Sequence, residues 1–395
     1  MAEDRKEILG RLSRGEISVE EAEALLDALG EREPREIGRK AAQVAKDIGA
    51  SVRDALKPTL EELSRGLTEV LSEVREGVQE FGGHIGYATP DTADLRDAGE
   101  ETLEFALGAG RLEVKNAFGN VSVSEAEGDT LTLRAHRWAK GATDDEAREQ
   151  ARQVEVHAEQ EDNGVEVKVR GEGRLMRRVR VHLEIGAPAG VKVEVKGVAG
   201  KIECRGLSGE VEAKTVSGEI ALRALRAKAS AHAVSGMVTA EALEGGMEAR
   251  TLSGQITARD CEGPVRLKTV SGMIAASGRG EVNAKSVSGM IRLVGIESEQ
   301  AQASNVSGAV EIEFAAPFSG DLNVKTVSGP VEVRLPKESD CKVEVSGGHT
   351  TLDPALPLAS VESGHRRLTA VLGSGKGAIE IKTVSGAVRL AARGS

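Results

Sequence analysis

Aromatic side chains are nearly missing from this chain of 395 residues: they form 2% of it, with one Trp, one Tyr and five Phe. Such a chain cannot fill a wide core with rings, so the interior is expected to be thin, with opposing sheets about 10 Å apart over Val, Ile, Ala and Leu. The deficit also removes the stacking platforms on which glycan-cleaving enzymes hold sugars, since Tyr87 and Trp138 both precede the regular part of the sequence. Cysteine is scarce as well. Cys204, Cys261 and Cys341 are odd in number, far apart and without CxxC spacing, which argues against disulfides and zinc and for three small core residues. No run of about eighteen apolar residues occurs, so no spanning helix is expected. The opening MAEDRKEILGRL has charges but no apolar signal core, and predicts a protein made and kept in the cytoplasm. Positive charge is also in deficit, with 52 Lys and Arg against 63 Asp and Glu for a net −11. A nucleic-acid partner is therefore not expected, because phosphate binding needs clustered cations.

Glycine, by contrast, is plentiful and in register. Gly209, Gly218, Gly236, Gly254, Gly272, Gly289, Gly308 and Gly329 close Ser-Gly dipeptides that, after a first step of nine, recur at about eighteen residues and then stretch slightly. Weaker half-repeats such as LEGGMEART and CEGPVRLKT lie between them. Each unit reads as a short alternating strand, with Val265 and Leu267 or Ile274 and Ala276 on one side, and a glycine turn that calls for positive φ. A unit so short cannot bury its apolar face alone; stacked coils at about 4.8 Å can. The fold class expected is mainly β: a β-solenoid (β-helix) of stacked coils of about eighteen residues over 191–395, preceded by a small helical N-terminal module. The isolated repeat around Gly386 is expected to cap its C-terminal end.

Ahead of the repeats the pattern changes. Residues 1–30 predict a helical hairpin, with Ile8, Leu9 and Leu12 on one helix, a break at Gly15, and a capping box at Ser18 and Glu21 opening the second. Residues 31–81 predict an amphipathic helix bent at Pro58. Its first half is basic, and Arg39, Lys40, Val44, Lys46, Ile48, Val52, Arg53, Leu56 and Lys57 form a candidate surface for an anionic membrane or for coiled-coil assembly. Residues 82–99 read as a linker, and 100–190 as an irregular β region opening the repeat domain. In that region strands are predicted at 103–107, 111–115, 121–124, 131–137, 154–158, 165–170 and 179–185, with a helix over 144–153 capped by Thr143.

Two motifs carry a resemblance. The opening EILGRLSRGEISVEEAEALLDAL resembles the SHOCT-like helical domain of bacterial YvlB and LiaX proteins. GRLEVKNAFGNVSV followed by VSG repeats resembles the bacterial "putative adhesin" β-strand-repeat domain, a family of unknown function, from about residue 100 to the end. The combination recreates the domain order of the YvlB/LiaX-type cell-envelope stress proteins. It implies a non-enzymatic part in sensing or buffering envelope damage, and names no ligand.

Sites for chemistry are few. LGSGKGAIE at 372–380 suggests a phosphate loop, but Ala370 stands where the motif needs its first Gly and Gly377 where it needs Ser or Thr. His84, His136, His157, His182, His232, His349 and His365 show no i, i+4 pair, the calcium nonapeptide lacks its Asp, and no acidic pair recurs at a fixed phase. No catalytic, cofactor-binding or metal residue is assigned. Two phase-locked files remain. Lys214, Arg250, Lys268, Lys285, Lys325 and Lys382 stand four residues before a repeat glycine, as a solvated stripe or as a rail for an anionic polymer or lipid headgroups. Met237, Met247, Met273 and Met290 each follow a glycine, as an outward apolar patch or as core filling. The expected function is a non-catalytic binding or scaffold protein with a protein partner or self-association. It is cytoplasmic or peripheral at the inner membrane face, with a surface location still open. A self-assembling structural rod is the second reading, and a β-helix enzyme acting on polysaccharides the third.

Overall fold

A computed structural model describes residues 95–395 apart from 109, 162, 365 and 395. The helical hairpin of 1–30 and the amphipathic helix of 31–81, with its candidate residues, lie outside the described residues, as does the linker up to residue 94. The chain is mainly β. Strand β1 (Leu95–Ala106) takes in the end of the expected linker and is followed by β2 (Arg111–Phe118), β3 (Val121–Glu125) and β4 (Thr130–Lys140). Helix α1 (Asp144–Arg152) has the expected cap, Thr143 accepting from the Glu146 N–H, and leads to β5 (Glu155–Glu161) and β6 (Gly164–Arg170). A single turn, α2 (Gly173–Met176), precedes β7 (Val179–Ala187).

Six long strands come next: β8 (Lys192–Arg205), β9 (Val211–Arg223), β10 (Ala229–Glu241), β11 (Met247–Cys261), β12 (Val265–Gly278) and β13 (Val282–Ile296). Each bends at its Gly-containing corner into two arms, and each pairs in parallel with the next, residue for residue at the sequence repeat, so Gly254 lies on Gly272 and Ile256 on Ile274. The same layer continues as the broken pairs β14 (Gln300–Ser307) with β15 (Val310–Phe314), and β16 (Asp321–Ser328) with β17 (Val331–Leu335). The rest of the chain forms β18 (Cys341–Ser346), β19 (His349–Leu352), β20 (Leu358–Gly364), β21 (Arg367–Leu372), β22 (Gly377–Thr383) and β23 (Ala387–Ala392).

The order of layers departs from the order in sequence at both ends. Pairing runs β6/β7, β2/β3, β8 through β13, β14/β15, β16/β17, β22/β23, β18/β19. These are twelve layers, a stack roughly 50 Å deep at 4.8 Å each. Two expectations are thereby corrected. The stack does not begin at 191, because β2/β3 and β6/β7 are layers of it. The repeat around Gly386 is not the end cap, because it inserts between β16/β17 and β18/β19. Antiparallel strands close the ends instead: β4 and β1 on β7, β5 on β6, and β21 with β20 on β18.

The core is filled mainly by aliphatic side chains, as the composition predicts. In β12 the inward Val265, Leu267, Ile274 and Ala276 are all buried, and the return turns add buried Leu207, Leu225, Leu243, Cys261 and Ile296. Cys204, Cys261 and Cys341 are buried thiols, with Cys204 pushed up to about 12 and the others to about 11, burial being the main cause.

The corner glycines need a different explanation from positive φ. Gly272 has φ +147°, but Gly218, Gly236, Gly289 and Gly386 are outside the left-handed range. What they share is the neighbouring layer: a Cβ on Gly236, Gly254, Gly272 or Gly289 would stand 1.8–2.0 Å from the carbonyl oxygen of the glycine one layer away. The file runs as a glycine spine from Gly119 through Gly200 to Gly386 and Gly348. Gly209 belongs to the opposite turn, against the Val191 carbonyl, which accounts for the first step of nine. Left-handed residues occur at that return turn, where Gly206, Ala224, Ala242 and Asp260 stand at the ends of β8 to β11 at one position, and Gly295 takes it in β13 after the shorter β12 coil skips it.

Candidate functional site

The outer face of the first arm carries three parallel files. Nearest the corner are Val234, Leu252, Val270, Val287 and Val306, all half-buried. Next is the basic file, and the register extends it beyond the expected residues: Lys168, Lys115, Lys196, Lys214, His232, Arg250, Lys268, Lys285, Ser304, Lys325, Lys382. Lys115 and Lys196 had the signal, each standing four residues before a spine glycine in KNAFG and KGVAG, while Lys168 has no such glycine. Beside it runs a file that the sequence reading missed: Glu166, Glu113, Glu194, Glu212, Ser230, Glu248, Arg266, Asn283, Gln302, Asn323, Glu380. Its signal was a Glu-x-Lys/Arg spacing within strands, as in VEVK and MEAR.

Where both charges are present they pair. Lys115–Glu113 measures 2.9 Å, Lys196–Glu194 3.1 Å, Lys214–Glu212 2.8 Å, Arg250–Glu248 2.7 Å and Lys382–Glu380 2.5 Å. Around Lys196, burial opposes the charge but the bonds to Glu194 and Glu113 outweigh it, so its pKa is raised; Glu113 and Glu194 are lowered for the complementary reason. Lys285 is 5% exposed, so it is a buried member of the file and not a surface residue. It lies between Lys268 and Ser304 in register.

Around the corner the methionines separate. Met237, Met273 and Met290 are 46%, 37% and 41% exposed and fall in one file with Gln255 between them. Met247 is 2% exposed. It starts a first arm after the return turn, at an inward phase, and so does not belong to that surface.

The LGSGKG loop holds an anion, but the chain's own. The Asp340 carboxylate accepts from the N–H groups of Ser374 (2.7 Å), Gly375 (2.7 Å) and Lys376 (3.1 Å) and from the Ser374 hydroxyl (2.8 Å). These bonds hold its pKa below the usual range, with the Ser374 side chain contributing most. Among the described residues no group of three or more His, Cys, Asp or Glu is placed to hold a metal, and no helix is long and apolar enough to cross a membrane. Near one end of the stack Trp138 stacks on His136 at 4.8 Å, with His182 at 6.5 Å.

The family model for Toastrack DUF4097 matches residues 110–391, the span of the layered region. The chain belongs to the Toastrack DUF4097 family. No curated protein matches it. Solved structures similar to it include a "putative cell adhesion protein" from Clostridium sporogenes, at 13% identity and TM-score 0.20, covering 75% of this chain and 100% of that one. A "putative adhesin" from Parabacteroides distasonis has 12% identity and TM-score 0.36, covering 74% and 96%. Another from Bacteroides fragilis has 10% identity and TM-score 0.30, covering 76% and 98%.

Proposed function

We propose that this Toastrack chain is a non-catalytic binding scaffold that holds a protein partner along the methionine edge. One observation carries the reading. Among the described residues the exposed large apolar side chains are Met237, Met273, Met290 and Val361, and three of the four lie in a single file in the middle layers. Apolar exposure concentrated in this way marks an interaction surface, and methionine adapts its shape to a partner at little cost. The half-buried Val file on the other side of the glycine spine widens the edge.

Photoactivatable methionine incorporated in living cells tests this, with buried Met247 as internal control. Adducts from Met237, Met273 and Met290 to a distinct protein are expected. Adducts only to a second copy would favour the self-assembling rod, and none from any of the three would sink the binding reading.

The resemblance to envelope-stress proteins supports a place at the cell envelope, with the basic half of the N-terminal segment docking on the inner membrane face. Co-sedimentation of the full chain with anionic but not neutral liposomes is the outcome expected. Charge reversal at Arg39, Lys40, Lys46, Arg53 and Lys57 should abolish it.

A further inference from the structure

One file of the interior is polar. Three residues before the spine glycine, at an inward phase next to the basic file, the register stacks Thr251, Thr269, Ser286, Asn305, Thr326 and Thr383 in six successive layers. All six are buried, at 0–4% exposure. On the other side of Thr251 the file is interrupted by Ala233. A hydroxyl buried among aliphatic side chains costs stability unless it is hydrogen-bonded, so each of these oxygens has to be accounted for.

The far end of the file is closed from within the chain. Thr383 Oγ1 accepts from the Gly386 N–H at 2.9 Å, and Thr326 Oγ1 donates to the Ser328 carbonyl at 3.4 Å. Asn305 Nδ2 donates to the Gly289 carbonyl at 2.9 Å, which fixes Oδ1 as the open end of that amide. Among the described residues, Thr251 Oγ1, Thr269 Oγ1, Ser286 Oγ and Asn305 Oδ1 have no hydrogen-bond partner. They stand in four consecutive layers.

Layer spacing decides what joins them. Equivalent atoms of neighbouring layers are about 4.8 Å apart, well beyond the roughly 3 Å of a direct bond. An oxygen about 2.8 Å from both subtends an angle of about 120°, near the tetrahedral preference of water. Two polar partners are the minimum that a buried water needs. The polarity also fits. Each hydroxyl has one proton to donate and the Asn305 oxygen only accepts, so donation runs one way, from Thr251 through water to Thr269, through water to Ser286, and through water to Asn305.

We infer that three structural waters occupy the bend of the stack, one in each gap between Thr251, Thr269, Ser286 and Asn305, as a single file parallel to the stack axis. They tie four layers together from inside, beside the backbone bonds of the sheet. The site is internal and does not rest on the methionine edge.

Threonine-to-valine replacement keeps the shape of the side chain and removes its hydroxyl, so the file can be dismantled one oxygen at a time. Long-lived buried waters of the full chain are counted in solution by water-oxygen magnetic relaxation dispersion, and ordered waters are located in crystals of the same proteins. Thr269→Val should lose two waters and Thr251→Val one. Thr383→Val should lose none, because Thr383 is bonded within the chain. The Tm of Thr269→Val should fall. A dry file predicts the opposite, an unchanged count and a raised Tm, since the replacement would remove an unpartnered hydroxyl. Either of those results would overturn the inference, as would an equal loss of waters in Thr383→Val. If Thr269→Val does not fold, Thr251→Val at the end of the file decides by keeping or losing its one water.

Discussion

At single residues, backbone approach and backbone conformation make opposite demands on two turns of the same coil. Gly289 has an ordinary φ, yet its missing Cβ would stand 1.8 Å from the Gly272 oxygen. Gly289→Ala is therefore expected to destabilise by about 3 kcal/mol through forced separation of layers, read from urea melts. In an open strand the same replacement would stabilise by about 0.5–1 kcal/mol, so a gain, or no loss, would refute the steric account. Ala242 has φ +56° and is exposed at the return turn, where other coils have Gly206 and Gly295. Ala242→Gly should stabilise by about 0.5–1 kcal/mol, since relief of left-handed strain exceeds the entropy glycine adds to the unfolded chain. The period of the spine glycines was legible in the sequence; their cause was not, because it lies in the carbonyl of another coil. Asp340 illustrates the same limit: nothing near LGSGKG announces that a carboxylate 34 residues earlier fills the loop. Its folded pKa is lowered from 3.8, so its contribution is complete above that value and disappears as pH falls through the folded one. Asp340→Asn should lower Tm at pH 7, and the two proteins should converge in acid; a constant difference down to pH 2 would contradict this.

Elements were more legible than their partners. Seven strands and α1 in the 100–190 region could be read from alternation and from the Thr143 cap, since those signals are local. That β2/β3 and β6/β7 are layers and β4 with β1 a closing pair could not be read, because pairing between distant strands leaves no period. The closing pair contains the chain's single Trp, which makes it observable. His136 lies opposite His182 across β4 and β7, and Trp138 stacks on His136. Burial, with the nearby His136 and Arg180, lowers the His182 pKa from 6.5. The unfolded chain thus binds that proton first, and stability should decline as pH falls below about 6.5 before levelling under the folded value. Trp138 emission should follow the same descent, and His182→Asn should flatten the decline in stability. An unchanged pH profile in the variant would remove His182 from the account.

For the molecule as a whole, the insertion of β22/β23 one layer inside the end decides how the stack can be completed. Two of the outermost strands are poor templates for another chain: β1 is bulged between Asp97 and Gly99 and rich in Glu, and β19 has only four residues. The seven-residue β20, paired only with β21 and carrying the exposed Val361, is the end strand that a second chain could extend. The interior edge is different. Until residues 377–392 are in place, β16 and β17 have no neighbour on one side, and β18 lacks the parallel strand that joins it to the stack. Those open strands alternate and are apolar on their inner face, where Leu322, Val324, Val331 and Val333 are buried in the full stack. A chain ending at Lys376 should therefore keep β8 to β15 folded, lose hydrogen-exchange protection over 341–372, and associate in proportion to concentration where the full chain does not. Sedimentation velocity of the two proteins across a hundredfold concentration range decides the matter: a truncated chain that stays monomeric, with protection intact over 341–372, would show that the inserted coil does not complete the stack.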